Sequence, residues 1–257
     1  DGSGCYVDTH VGLGHQRLAI IDLSDAGKQP MLSECGRYAL VYNGELYNYR
    51  ELRKELETKG YKFIGHSDSE VVLNALIDEG AAALRKFNGM FSIAFWDNKE
   101  KRLLLSRDRF GIKPIYYLLE GEQLVFGSEI KAIRSYKENL GELNLSGFHE
   151  YMWYGNALGN HTFYEKIKKI LPGHFLEFGN NYFNIEKYWS IESTPKVHDS
   201  ESIAIKKVKT LLDESIERHL LADVPVGVFL SGGIDSSTIT ALASTNSQSR
   251  LNTYAVA

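Results

Sequence analysis

Residues 224–237, VPVGVFLSGGIDSS, constrain the fold of this chain more than any other stretch. A short, continuously apolar and β-branched run reads as a buried strand. It passes directly into two glycines among serines, and the TITALAS that follows is helix-prone. A strand, a glycine loop and a helix in that order open an α/β domain. In such a loop the glycines let the backbone approach a ligand, the helix start aims free N–H groups at an anion, and Ser231, Ser236 and Ser237 add hydroxyl donors. Phosphate is the ligand this favours, and a plain strand-to-helix turn is the alternative. The stretch is neither GxxxxGK[ST] nor GxGxxG.

The sequence upstream has a different texture. Runs at 38–47, 91–97, 102–107, 115–120 and 123–128 are short, apolar or aromatic, and read as strands. Residues 49–59 read as a helix stopped by Gly60, and 68–79 as a helix behind a Ser67/Glu70 capping box. Residues 173–189 read as a hairpin turning at Gly179-Asn180-Asn181. This α+β portion is expected to run over 1–190. The polar segment 191–200, with Pro195, is the expected linker. The second domain is expected over 201–257, beginning with a helix at 201–221 that carries Val208, Leu211, Leu212, Ile216 and Leu220 and is capped by Asp199 or Ser200.

Two domains suit a chain of 257 residues, 43% of them hydrophobic. The net charge of −4, from 29 basic and 33 acidic side chains, gives no basic footprint for nucleic acid or an acidic membrane. Cys5 and Cys35 make neither a disulfide framework nor a zinc pattern, so no metal site is expected and a reducing compartment is. No apolar run approaches a membrane span, and DGSGCYVDTH lacks the regions of a signal peptide. A cytoplasmic location is expected.

Seven blocks in order resemble glutamine-hydrolysing asparagine synthetase: GHQRLAIIDLSDAGKQPM (14–31), VYNGELYNYRELR (41–53), HSDSE (66–70), RDRFGIKPIYY (107–117), SEIKA (128–132), LPGH (171–174) and ADVPVGVFLSGGIDSS (222–237). The resemblance implies an Ntn-hydrolase-like αββα sandwich acting as a glutaminase. It is followed by the start of an α/β PP-loop domain of the adenine nucleotide α-hydrolase-like kind, which adenylates a carboxylate with ATP accompanied by Mg2+. L-glutamine, ATP and L-aspartate or another carboxylate are the implied partners, and a homodimer is an implied assembly. Arg17 would hold the glutamine α-carboxylate, with Ile20 and Ile21 lining the pocket. Asp68 would pair with the α-ammonium, so that two side chains clamp the two charges of an amino acid. The Asn43 amide and the Gly44 N–H would form the oxyanion hole, and Glu45 would contact the substrate. Leu230, Ser231, Gly232, Gly233, Ile234, Asp235, Ser236, Ser237 and Val256 would make the ATP site.

Each of these residues also has a plain structural role open to it: Asn43-Gly44 is a common turn dipeptide, Arg17 a surface cation, and Asp68 a helix cap. The family's nucleophile is a cysteine at the mature N-terminus, whose own α-amine serves its thiol. Asp1 resembles the last residue of the Arg-Gly-Pro-Asp motif that follows that strand, so the nucleophile is expected upstream of Asp1. The rest of the synthetase domain is expected beyond Ala257. As it stands, the polypeptide is expected to be inactive, with Cys5 and Cys35 as bystanders. Two further readings stay open: an amidotransferase acting on a sugar carboxylate, and a glutamine-binding module without a nucleophile.

Overall fold

A computed structural model describes residues 2–191, 198–247 and 250–255. Its contacts divide into two units. The first comprises the described residues up to Leu18 together with Ala26–Ile191, and the second comprises Ala19–Asp25 and the described residues from His198 onward.

The first unit opens with the hairpin β1 (Gly2–Val7) and β2 (Gly12–Arg17), followed by β3 (Met31–Leu32) and β4 (Tyr38–Leu46). Next come α1 (Tyr49–Thr58), α2 (Asp68–Glu79), β5 (Gly89–Asp97), β6 (Arg102–Arg107), β7 (Tyr116–Glu120) and β8 (Gln123–Gly127). It closes with α3 (Ile130–Tyr136), α4 (Leu145–Tyr154), β9 (Ile167–Lys169), β10 (His174–Gly179) and β11 (Tyr182–Lys187). Six strands form one antiparallel sheet in the order β11-β10-β6-β5-β4-β3, and β8-β7-β9 form a second.

Period-two alternation divides the central strands between two apolar layers. Ala39 and Val41 of β4, Ala94 and Trp96 of β5, and Leu103 and Leu105 of β6 pack against Leu13, Ile115 and Tyr117 between the sheets. The other face of β4 carries Leu40 and Tyr42, both buried, and α2 packs there. On the far side of the second sheet, Ile133 of α3 is buried with Leu118 and Ile167. The layers are therefore helix, sheet, sheet, helix, the αββα sandwich expected.

The start of α2 matters because it places Asp68. Ser67 is the N-cap, and its hydroxyl accepts the Glu70 N–H at 3.3 Å. The capping box closes differently from the usual one: the Glu70 carboxylate accepts the N–H groups of Ile64 and Gly65, at 2.7 and 3.0 Å. Asp68 is thereby released from capping. Ser67→Ala is expected to lower unfolding free energy by about 1 kcal/mol, read as a shift in denaturant midpoint at unchanged slope.

The second unit contains α5 (Glu201–His219), β12 (Gly227–Phe229), α6 (Ile234–Asn246) and β13 (Asn252–Tyr254), with β12 and β13 parallel. The segment Ala19–Asp25 joins it by backbone contacts: Asp223 N–H donates to Ile20 O at 3.0 Å, and Asp22 N–H donates to Asp223 Oδ2 at 2.7 Å. One expectation is corrected here. The strand is shorter than 224–230 and is not buried, since Gly227 and Phe229 are exposed; among the described residues β13 is its one sheet neighbour. Of the apolar positions read on the first helix, only Ile216 is buried. Residues 192–197 of the expected linker, 191–200, lie outside the described residues.

Candidate active site

Asn43, Gly44 and Glu45 lie inside β4, so Asn43-Gly44 is no turn. They pair with Ser92, Phe91 and Met90 of β5. Phe91 gives both its backbone groups to Asp108: its N–H donates to Asp108 Oδ2 at 3.2 Å, and its carbonyl accepts Asp108 N–H at 2.9 Å. In an antiparallel ladder that makes Gly44–Phe91 the narrow, non-hydrogen-bonded kind of pair, with the Gly44 N–H directed away from β5. The narrow pair also explains the glycine. A Cβ at residue 44 would collide with Met90 O and would stand 2.7 Å from Phe91 Cα.

On its other side β4 soon runs out of partners. β3 pairs only through Met31↔Leu40 and Leu32↔Ala39. Beyond it, side chains take over: the Tyr42 N–H donates to Gln29 Oε1 at 2.6 Å, and the Leu46 N–H donates to Asp68 Oδ2 at 2.9 Å. Gly44 sits between these two satisfied donors. A backbone N–H set in that position, beside the amide of Asn43, can receive an oxygen that gains negative charge without adding a formal charge of its own.

Asp68 is 5% exposed and turned towards β4. The same Oδ2 accepts the Tyr42 hydroxyl at 2.9 Å. Burial pushes its pKa up to about 6, and the nearby Glu45 pushes in the same direction; the Leu46 and Tyr42 donors pull the other way. A buried carboxylate held ready against its own desolvation is suited to a cationic ligand group.

Arg17 ends β2, with its guanidinium over Gly27, where a Cβ would stand 2.7 Å from Arg17 Cζ. His15, two residues earlier, is influenced by the Tyr42 backbone and the Arg17 charge. Burial is the main cause of its lowered pKa, which keeps the ring neutral, and its Nδ1 is buried without a partner. Arg17, Asn43, Gly44, Glu45 and Asp68 thus belong to one unit, linked through Tyr42 and its neighbours. Ile20 and Ile21 belong to the other unit. His15 and Gln29 lie in the block 14–31 and Tyr42 in the block 41–53, and the family resemblance implies no role for any of the three.

In the second unit the loop after β12 carries Gly232 at φ 81°. Ser231 and Ser236 close it: the Ser231 N–H donates to Ser236 Oγ at 3.3 Å, the two hydroxyls are 3.0 Å apart, and Ser236 Oγ donates to Gly233 O at 3.2 Å. Leu230 N–H donates to Tyr254 O at 2.8 Å, which fixes the strand end. Gly233 is the N-cap of α6 and offers no side-chain cap; Ile234, Asp235 and Ser237 follow in the first turn. Val256 lies outside the described residues. Cys5 and Cys35 are free and exposed. Among the described residues there is no cluster of three metal-binding side chains, and no helix is long and apolar enough to cross a membrane.

Residues 1–189 match the glutamine amidotransferase domain family. The chain belongs to that family. In this amidotransferase chain residues 207–257 match a second family, asparagine synthase. It is 39% identical to asparagine synthetase [glutamine-hydrolyzing] 3 of Bacillus subtilis, over 100% of this chain and 42% of that protein. It is 36% identical to amidase chry2 of Gibberella zeae, over 91% of this chain and 35% of that protein. The chain thus spans less than half the length of these relatives. A solved glutamine phosphoribosylpyrophosphate amidotransferase from B. subtilis aligns at 17% identity and a TM-score of 0.49, over 95% of this chain and 51% of that one.

Proposed function

We propose that this chain is the glutamine-hydrolysing domain and the beginning of the ATP-using domain of an asparagine synthetase. Glutamine and water give glutamate and ammonia at the first site. ATP adenylates the side-chain carboxylate of aspartate at the second, releasing pyrophosphate, and ammonia displaces AMP to leave the amide. The observation that carries the reading is the Gly44 N–H, set on the edge of β4 beyond its pairing with β3, between two satisfied donors and near the buried carboxylate of Asp68.

In this reading Asp68 takes the glutamine α-ammonium and Arg17 its α-carboxylate. The amide oxygen lies between the Asn43 side chain and the Gly44 N–H, and Glu45 contacts the substrate. The attacking nucleophile in this reading is the family's terminal cysteine. The 230–237 loop holds the ATP phosphates and Val256 lies by the base. Mg2+ would accompany the nucleotide, and Asp235, in the first turn of α6, would be the carboxylate closest in sequence to the loop. A cytoplasmic homodimer is the assembly that goes with this reading.

The test uses the natural full-length protein. Asn43→Ala is expected to lower kcat for glutamine hydrolysis about a hundredfold with a nearly unchanged KM, because the lost donor acts on the transition state. Amidation driven by added ammonia should persist. An unchanged kcat removes Asn43 from the oxyanion hole, and a natural protein without a cysteine before Asp1 removes glutamine hydrolysis altogether. Similarity to an amidase makes the acceptor a separate measurement: aspartate is expected to be amidated in preference to sugar carboxylates.

A further inference from the structure

We propose that Gln29 is a positioning residue of the glutaminase site, acting as a side-chain substitute for a missing strand at the edge of β4. The inference rests on the glutaminase reading above and adds a residue to it. In the register of β3 on β4, where Met31 faces Leu40, the place opposite Tyr42 falls to Gln29. The chain has left the ladder by then, and the side-chain amide does what a backbone would have done. Its Oε1 accepts the Tyr42 N–H at 2.6 Å and its Nε2 lies 3.3 Å from Ser69 Oγ, at the first turn of α2. Because a backbone N–H can only donate, the orientation of the amide is fixed: oxygen towards Tyr42, nitrogen towards Ser69.

Gln29 is 7% exposed and Ser69 6% exposed, so neither contact is shared with bulk water. A further constraint holds Gln29 from the opposite side. Gly4 of β1 has no room for a Cβ, which would collide with Gln29 O and stand 3.3 Å from Pro30 Cδ. One residue therefore ties together β1, β4 and α2, and it does so at the residue just before Asn43.

The functional consequence follows from what a full-length strand would have done instead. A backbone continuing β3 along β4 would have offered a carbonyl not only to Tyr42 but to the next outward-facing N–H, that of Gly44. A side chain satisfies Tyr42 alone and stops there. Gln29 thus keeps the strand in ladder geometry while leaving the Gly44 donor for the substrate. Ser69 connects the same amide to the helix turn that carries Asp68, so the oxyanion donors and the ammonium site are held at a fixed separation.

The experiment is steady-state glutamine hydrolysis by the natural full-length protein, with ammonia-driven amidation by the same preparations as a check on folding. Gln29→Met fills the same space without the amide and is expected to lower kcat roughly 10–100-fold with KM within about twofold, as small misplacement of transition-state donors does. Gln29→Glu, neutral where it is buried, keeps an acceptor oxygen for the Tyr42 N–H and an O–H to donate to Ser69 Oγ, and is expected to recover at least about a third of the wild-type kcat at about pH 6, because the transition-state donors are again in place. Ser69→Ala leaves the Tyr42 bond and unpins only the amide nitrogen; an approximately threefold to tenfold lower kcat at unchanged KM is expected, and this variant decides the matter if Gln29→Met does not fold. Wild-type kcat in Gln29→Met, or in Ser69→Ala, overturns the proposal while leaving the glutaminase reading intact. So does equal loss in the Met and Glu variants, which would assign the effect to packing. A wild-type protein that does not hydrolyse glutamine overturns both.

Discussion

Asp68→Asn is expected to stabilise the folded chain above pH 6 and to cost it glutamine. The carboxyl titrates at about 6 in the fold, where burial dominates, against 3.8 for an ordinary aspartate. The folded chain therefore keeps a proton that the unfolded chain has already released between those two values. Stability falls as pH rises through that window, by on the order of 1–3 kcal/mol once both states are ionised. Asparagine keeps an oxygen for the Tyr42 hydroxyl and the Leu46 N–H, both now at 2.9 Å from Oδ2, and has no charge to desolvate. Denaturant unfolding at pH 8 should show the variant ahead of wild type by that margin, and the margin should vanish near pH 4, where the wild-type carboxyl is protonated too. The substrate suffers the opposite effect. An α-ammonium brought to a buried site without its counter-charge loses roughly 10³-fold in kcat/KM. Wild-type glutamine affinity should likewise weaken as pH drops below about 6. A variant that is less stable than wild type at pH 8, or that hydrolyses glutamine normally, contradicts this account of Asp68.

That trade-off was legible in the sequence only in part. The pairing of Ser67 with Glu70 gave the helix boundary at Asp68, since capping is local chemistry, yet nothing local said that the carboxylate turns inward to β4. β6 was read with its observed limits, Arg102–Arg107, because RLLLSR is bounded by charge at both ends. By contrast α3 and α4 were not anticipated. In α4 the residues Phe148, Tyr151, Trp153 and Tyr154 are poor helix formers and leave their side chains exposed, so neither propensity nor a buried face marks the helix; the Asn144 cap and the left-handed Gly155 that ends it are the local signs. The burial assigned to VPVGVFL failed because an apolar run tells of neighbours without saying which part of a chain supplies them. The role of Gln29 was out of reach for a related reason. Its partners stand 13 and 40 positions away, on a strand and a helix, and no spacing rule connects a loop glutamine to either.

Gly44→Ala should cost both stability and glutamine hydrolysis. The new Cβ would collide with Met90 O and stand 2.7 and 2.8 Å from the Cα and Cβ of Phe91, with no flexible chain end among these atoms to yield. β5 has nowhere to retreat. Beyond it lie β6 and Asp108, whose carboxylate accepts the N–H groups of Phe91, Phe110, Ile112 and Lys113 at 3.2, 3.0, 3.0 and 2.9 Å. β4 must therefore move, and with it the N–H proposed to receive the amide oxygen. A loss of about 3 kcal/mol in unfolding free energy is expected, together with at least a thousandfold lower kcat for glutamine hydrolysis in the natural protein. Gly89→Ala separates the two effects. Its Cβ would collide with Glu45 O and stand 3.0 Å from Leu46 Cα, so the same pair of strands is forced apart, but nearer the end of β4 and past the donor. Comparable destabilisation with no more than about a tenfold lower kcat is expected there, since the donor geometry is disturbed less. Equal catalytic losses in the two variants would mean that strand separation alone explains the effect, and that the position of the Gly44 N–H carries no special weight.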